Sequence, residues 1–412
     1  MTTIRFQSHA PITHFEVRDQ CLYLGSQPVT DLVAQVGQTP VYIYDRAVIT
    51  KRIVSLRKQL PDACRIHYAV KANPMPQLLD HISNLVDGLD VASAGELDLL
   101  MRAGIDAGRV SFAGPGKRND ELADALRARI TVNIESEREL DVLIQLGRQE
   151  GIKPRVAIRV NPPFQLRASG MKMGGGPQQF GIDSENVPAL LDRMKHLDIE
   201  FIGFHIFTGS QNLNVRAICE AQELTVKLAA ELAVHAPSPV QLLNIGGGLG
   251  VPYFDDEADL DVGVIGKNLA KLLPQINAAM PNASVALELG RYLVAEAGVY
   301  VCRVIDRKIS RGKVFLITDG GLHHHLAASG NFGQVIRKNY PVLVANKIGS
   351  KQSEKASVVG PLCTPLDLLA DNMRMSVAAP GDLIAVFQSG AYGRSASPLG
   401  FLSHPHPAEL LV

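Results

Sequence analysis

Eight short apolar segments recur through the first part of this chain, at 65–71, 85–92, 110–113, 131–135, 155–161, 201–208, 241–246 and 284–289. Stretches with helical spacing lie between them, as at Pro76 to Leu85, Ala94 to Ala103, Asp120 to Ala128 and Ser136 to Arg148. Strands of this length cannot pair in parallel without crossovers, and eight strand–helix units are the arithmetic of a (β/α)8 barrel. A doubly wound sheet would gather its chemistry at one switch point. Here reactive residue types sit at nearly every strand end, which favours the barrel. After residue 291 the texture becomes strand-dense, at Val299 to Ile309, Lys313 to Ile317, Ala356 to Val359 and Asp382 to Val386. The expected organisation is an N-terminal segment 1–40, a TIM-type barrel over 41–291, and a β domain over 292–412. Val41 to Asp45 reads as an apolar strand, with Asp45 able to cap the helix carrying Val48 to Leu60. The glycine-rich stretch Ser169 to Pro177 is expected to be a mobile loop over the barrel mouth.

Composition narrows the partners. The formal net charge is zero and no basic block occurs, so neither nucleic acid nor an anionic membrane is indicated. No signal peptide is visible near Met1 and no run of eighteen apolar residues occurs. The five cysteines show no Cys-x-x-Cys pair, which fits a reduced, cytoplasmic protein rather than a disulfide scaffold or zinc site. Three consecutive histidines on a strand cannot all ligate one ion from one side, so His323-His324-His325 is not read as a metal centre.

The most informative stretch is Arg65-Ile66-His67-Tyr68-Ala69-Val70-Lys71-Ala72-Asn73-Pro74. It sets Lys71 at the mouth of a buried strand, which by itself reads either as a lysine snorkelling to solvent from a strand end or as an amine whose loss of water suits it to Schiff-base chemistry. Barrel enzymes often hold phosphate between their last two strands. The seventh segment ends in Gly246-Gly247-Gly248, whose missing Cβ atoms let backbone N–H groups close on an anion. Ser210, after the sixth segment, is a second candidate there. The eighth ends in Glu288-Leu289-Gly290-Arg291.

Tyr68-Ala69-Val70-Lys71-Ala72-Asn73, followed by Leu89-Asp90-Val91-Ala92-Ser93-Ala94-Gly95-Glu96-Leu97, resembles the pyridoxal phosphate (PLP) dependent decarboxylases of the ornithine and diaminopimelate type, which have the alanine-racemase-like fold. Glu288-Leu289-Gly290-Arg291, Gly360-Pro361-Leu362-Cys363, Asp319-Gly320-Gly321 and Gly390-Ala391-Tyr392 resemble further motifs of that family in the same order. The resemblance implies that the N-terminal segment completes the β domain. It implies that Lys71 carries PLP as a Schiff base and that Glu288 faces the ring nitrogen, keeping it protonated so that the ring can take up electrons. Asp90, Arg159, Ser210, Gly246, Gly247, Gly248, Gly290, Arg291 and Tyr392 are then expected around the cofactor. Arg291, Arg337, Tyr340, Thr364 and Tyr392 are expected near the substrate. Cys363 is the expected proton donor, reaching across a homodimer interface.

Two departures bear on function. The position three residues before Ser210 is Phe207 where many relatives have a histidine that stacks on the ring; His205 shares its face by alternation, so either Phe207 or His205 is the stacking group. The neighbour of Cys363 is Thr364, where diaminopimelate and ornithine enzymes have a carboxylate for the substrate's distal amine. The expected reaction is therefore α-decarboxylation of an amino acid whose far end is neutral, acylated or tethered to a carrier protein. The pattern looks most like exosortase-associated and biosynthetic-cluster members. The alternatives are diaminopimelate decarboxylase, an amino-acid racemase on the same fold, and a PLP-binding regulator without activity.

Overall fold

The computed structural model describes residues 4, 9, 11–165, 171–172, 174–254, 256–332, 334 and 337–412. The chain forms two units, one of Arg52–Val251 with Asp259–Gly290, the other of Met1–Lys51, Pro252–Ala258 and Arg291–Val412.

The first unit is a closed parallel barrel. Its strands are Cys64–Ala69, Gly88–Val91, Val110–Phe112, Thr131–Ile134, Arg155–Asn161, Glu200–His205, Leu242–Gly247 and Ser284–Leu289. Each pairs with the next, and the eighth returns to the first with Val285 opposite Cys64 and Leu289 opposite Tyr68. All eight fall on the apolar segments read from the sequence. Barrel strands are covered on both faces, which is why they read as short apolar runs rather than alternating ones. Several of its helices begin where a polar side chain takes up a free N–H of the first turn. Ser93 accepts from Glu96 N, Ser136 from Glu139 N, Asn214 from Ala217 N and Asp261 from Val264 N.

The second unit is built on Gly298–Ser310, a strand long enough to serve two sheets. Its first half lies between Val41–Tyr44 and Leu383–Val386; its second half turns back through Arg311 and Gly312, both at positive φ, to pair with Lys313–Thr318. Ser353–Val359 and Leu368–Ser376 extend that end, and Ala408–Leu411 pairs in parallel with Val41–Tyr44. Phe15, Leu22, Leu24, Val29 and Leu32 pack with Val41, Val299, Val301, Leu383 and Phe387 in one core. The N-terminal segment thus completes this unit.

The expected barrel boundary at residue 41 needs correction. Val41–Tyr44 is fully buried in the sheet of the second unit, and the barrel unit begins at Arg52. A strand followed by a capped helix looks alike in either setting; only the long-range partners Gly298–Val301 and Ala408–Leu411 distinguish them. The Ser169 to Pro177 loop lies partly outside the described residues. No described helix is long and apolar enough to cross a membrane.

His323, His324 and His325 lie in a turn and not, as expected, on a strand, and all three are buried. His325 Nδ1 accepts from Ala328 N at 3.1 Å while Nε2 meets Ser389 Oγ at 2.9 Å, which requires the neutral ring with its proton on Nε2. Burial pushes its pKa from 6.5 down to about 3. A group that stays neutral when folded but takes a proton near pH 6.5 when unfolded supports folding fully above pH 6.5. That support drains away as the pH falls toward 3. For His325 the loss reaches about 4–5 kcal/mol at the acid end. The urea midpoint should therefore drop steeply between pH 6.5 and 4.5, and less steeply in His325→Gln. Parallel profiles for the two proteins would contradict this account.

Candidate active site

The first barrel strand ends at Ala69 and passes into a 3-10 turn, Val70–Ala72, that carries Lys71. The turn is held from below by Tyr68 Oη donating to Asn73 O at 2.9 Å, and Asn73 Oδ1 accepts from Met75 N at 3.1 Å. Lys71 Nζ donates to Glu288 Oε1 at 3.5 Å. Its side chain is 43 % exposed, so the expected loss of water from the amine is not what distinguishes this lysine. Its neighbours are.

Glu288 stands one residue before the end of the eighth strand, opposite His67 on one side and Gly247 on the other. It is buried, and Oε2 lies 3.0 Å from His205 Nε2, though off the hydrogen-bonding direction. Burial alone would raise this carboxyl's pKa. The Lys71 ammonium, His205 and the Arg159 guanidinium together reverse that effect and hold it well below the ordinary carboxylate range. Glu288 is therefore a buried, ionised carboxylate with an oxygen able to accept a further proton donor.

Around this pair the seventh strand ends in Gly246 and Gly248, both at positive φ. A Cβ on Gly246 would come 3.0 Å from the Phe207 ring, and one on Gly248 would collide with the Gly209 carbonyl. Asn244 Oδ1 receives Gly246 N at 2.9 Å, and Asn212 N donates to Gly248 O at 2.9 Å. These contacts draw the glycine turn against the Gly209–Ser210 segment. Gly247 and Ser210 are partly exposed there, as is Gly290 after the eighth strand. The Phe207 ring centre is 5.8 Å from Lys71 Nζ, whereas His205 turns to Glu288. Phe207, not His205, is thus the flat face beside the amine.

Asp90 and Arg159 are in the barrel wall but are engaged by protein partners. Asp90 Oδ1 accepts from Ser111 Oγ at 2.5 Å and lies 3.5 Å from His67 Nδ1; Asn133 Nδ2 donates to the same serine at 2.9 Å. Arg159 donates to Glu135 at 2.8 Å, and its guanidinium lies 4.8 Å from the centre of the Phe180 ring. Lys117 extends this charged group through Glu139 at 2.9 Å, and Glu135 also receives Gly114 N and Gly181 N. His67, Lys117 and Glu135 were not singled out from sequence, because their partners are 20 or more residues away. Glu96 was quoted only as part of a motif. Burial raises its pKa, and both Ala92 N and the Lys71 charge act against that rise.

The remaining candidates belong to the second unit. Arg291 is half-buried and donates from Nη1 to Tyr253 Oη at 2.8 Å; its guanidinium is 4.9 Å from the Tyr392 ring centre. Burial opposes its charge, but Tyr253, Tyr340 and Tyr392 more than offset that and hold its pKa up. Its Nε has no hydrogen-bond partner among the described residues. The Tyr340 ring lies tilted against that of Tyr253, centre to centre 4.9 Å, and Tyr253 was not singled out from sequence. Tyr392 sits at φ 55°, a strained conformation for a tyrosine. Arg337, expected near substrate, instead donates to Ser329 O, Asn339 Oδ1 and Leu368 O, which makes it a tie between loops. Cys363 is exposed, and Thr364 Oγ1 accepts from Leu366 N at 3.3 Å. Among the described residues no cluster of His, Cys, Asp and Glu is arranged to hold a metal.

Comparison with known proteins shows the family of the chain. Residues 46–295 match the family described as pyridoxal-dependent decarboxylase, pyridoxal binding domain. The chain belongs to that family. This decarboxylase is 40% identical over 380 residues to the L-glutamyl-[BtrI acyl-carrier protein] decarboxylase of Niallia circulans, covering 91% of this chain and 89% of that one. It is 33% identical to the diaminopimelate decarboxylase of Aquifex aeolicus (strain VF5), over 97% of this chain and 92% of the other. The crystal structure of Helicobacter pylori diaminopimelate decarboxylase complexed with L-lysine superposes with a TM-score of 0.82 at 28% identity, covering 93% of this chain and 94% of that one. The enzyme is thus a PLP-dependent carboxy-lyase acting on an amino acid. The barrel residues fit that cofactor: an accessible primary amine stands beside a buried ionised carboxylate, with a glycine turn on the adjacent strand.

Proposed function

We propose that this decarboxylase removes the α-carboxylate of an amino acid whose far end is acylated, most simply by attachment to a carrier protein. The observation that carries this reading is the neutral tip after Cys363. Thr364 is uncharged with its hydroxyl drawn into the local turn, and Pro365 and Leu366 beside it are exposed. A distal ammonium desolvated there would lack a counter-charge, at a cost of about 1–3 kcal/mol or more, roughly 10- to 100-fold in discrimination. The relative from Niallia circulans, whose name specifies a glutamyl group on an acyl-carrier protein, supports the same reading.

Lys71 would hold the cofactor through its side-chain amine, which stands accessible beside Glu288. Pyridoxal phosphate, when bound, supplies a conjugated ring that takes up the electrons of the breaking carbon–carboxylate bond. Glu288 would accept the ring N–H and favour its protonated form. Phe207 would offer the flat face, Gly246 to Gly248 with Ser210 would hold the phosphate, and Arg291 would receive an anionic group. Cys363 gives its thiol proton to the α-carbon and regains one from solvent. The enzyme works as a homodimer in which the Cys363 loop of one subunit completes the site of the other.

Carbon dioxide release measured on a glutamyl carrier conjugate, meso-diaminopimelate, ornithine, lysine and free glutamate tests the substrate. The conjugate should give kcat/KM at least roughly tenfold above diaminopimelate. Efficient turnover of free diaminopimelate would refute the proposal.

A further inference from the structure

Cys363 lies in the connection between two antiparallel strands, Ser353–Val359 and Leu368–Ser376, whose last pair is Val359 with Leu368. A connection of this length has many conformations unless something inside it is fixed. The fixed point is Asp367, which is buried although every neighbour from Cys363 to Leu366 is at least partly exposed. Its carboxylate divides its two oxygens between two backbone segments. Oδ2 accepts from Leu362 N at 2.8 Å, within the connection itself; Oδ1 accepts from Leu322 N at 2.6 Å, in the turn that follows Asp319-Gly320-Gly321. Charge-assisted bonds of this kind are about twice as strong as neutral ones. The space for the carboxylate is made by two glycines. A Cβ on Gly321 or on Gly360 would collide with it. The backbone closes around the same point, with Gly360 N donating to Asp367 O at 3.2 Å and Asp367 N to Thr364 O at 3.2 Å.

We propose that Asp367 is the positioning residue for Cys363: its carboxylate clamps the thiol-bearing connection to the turn after Asp319 and so sets where the proton donor stands. Asp367 touches neither substrate nor cofactor in this role. It acts through the loop, and its effect on turnover rests on the reading of Cys363 as proton donor. The chemistry explains why a carboxylate is required. Both oxygens face N–H donors, so an asparagine must turn its own N–H₂ against one of them and release either Leu362 or Leu322.

The test uses the holoenzyme with Asp367→Asn and, as an independent perturbation of the same clamp, Gly360→Ala. The first readout is the rate at which iodoacetamide alkylates Cys363, followed by mass spectrometry of its peptide. The second is the split between kcat and KM. In both variants the alkylation rate should shift severalfold. The value of kcat should fall on the order of tenfold or more, part of the 10²–10⁴ that a placed acid contributes, with KM unchanged within about twofold. Cofactor absorbance should stay at the wild-type level. Wild-type alkylation rates in both variants would overturn the assignment. A shifted alkylation rate with unchanged kcat, together with a fully active Cys363→Ser, would uphold the clamp and remove Cys363 as proton donor. Should Asp367→Asn not fold, the Gly360→Ala result alone decides.

Discussion

Replacing Lys71 with alanine should abolish decarboxylation, with carbon dioxide release falling by at least about 10³-fold, because in the proposed mechanism the anchoring amine has no substitute among its described neighbours. Glu288 and His205 beside it cannot form the link, and Phe207 offers only a face. The fold should survive. Lys71 is the exposed residue of an otherwise buried turn after the first strand, and Tyr68 and Asn73 make hydrogen bonds that hold that turn. Carbon dioxide release and a thermal melt on the same preparation check this. Measurable turnover at a tenth of the wild-type rate would mean that the amine is not the anchoring group.

Replacing Glu288 with glutamine should be the next most severe change, lowering kcat on the order of 10²- to 10³-fold, the usual loss when one preorganised charge facing a reacting group is removed. The side chain keeps its size, so the barrel packing is preserved. What is lost is charge: the amide no longer balances Lys71 and His205, nor can it hold a pyridine nitrogen in its protonated form. Steady-state kinetics at saturating cofactor are the measurement. A kcat within about threefold of wild type would show that the carboxylate serves only to pair Lys71.

The barrel was legible because its signal is local. Runs such as Arg155 to Asn161 and Ser284 to Leu289 are covered on both faces and announce themselves without their partners. Lys71, Gly246 to Gly248 and Glu288 were legible for the same reason, since each sits where a strand ends. The errors arose where a residue's place depends on distant chain. Val41–Tyr44 falls inside the expected barrel range, but Gly298–Val301 and Ala408–Leu411 pair with it in the other unit. His323 to His325 read as a strand, but Asp367 receiving Leu322 N and Tyr42 Oη donating to His324 O hold them in a turn. Arg337 carries the charge expected of a carboxylate receptor, and only the carbonyls of Ser329 and Leu368 reveal its structural use. Tyr253 and Asp367 were invisible for the converse reason: nothing nearby in sequence marks a tyrosine that braces Arg291 or an aspartate that clamps the Cys363 loop.

The central claim is that one amine, at position 71, holds the cofactor. Borohydride reduction of the holoenzyme followed by tryptic mapping tests it most directly, because reduction makes the link permanent and protects that lysine from cleavage. The cofactor's mass should appear on the peptide that begins at Ile66 and runs uncut through Lys71, with the visible absorption lost in step. Finding the label on another lysine, or finding a purified protein that takes up no pyridoxal phosphate, would contradict the account.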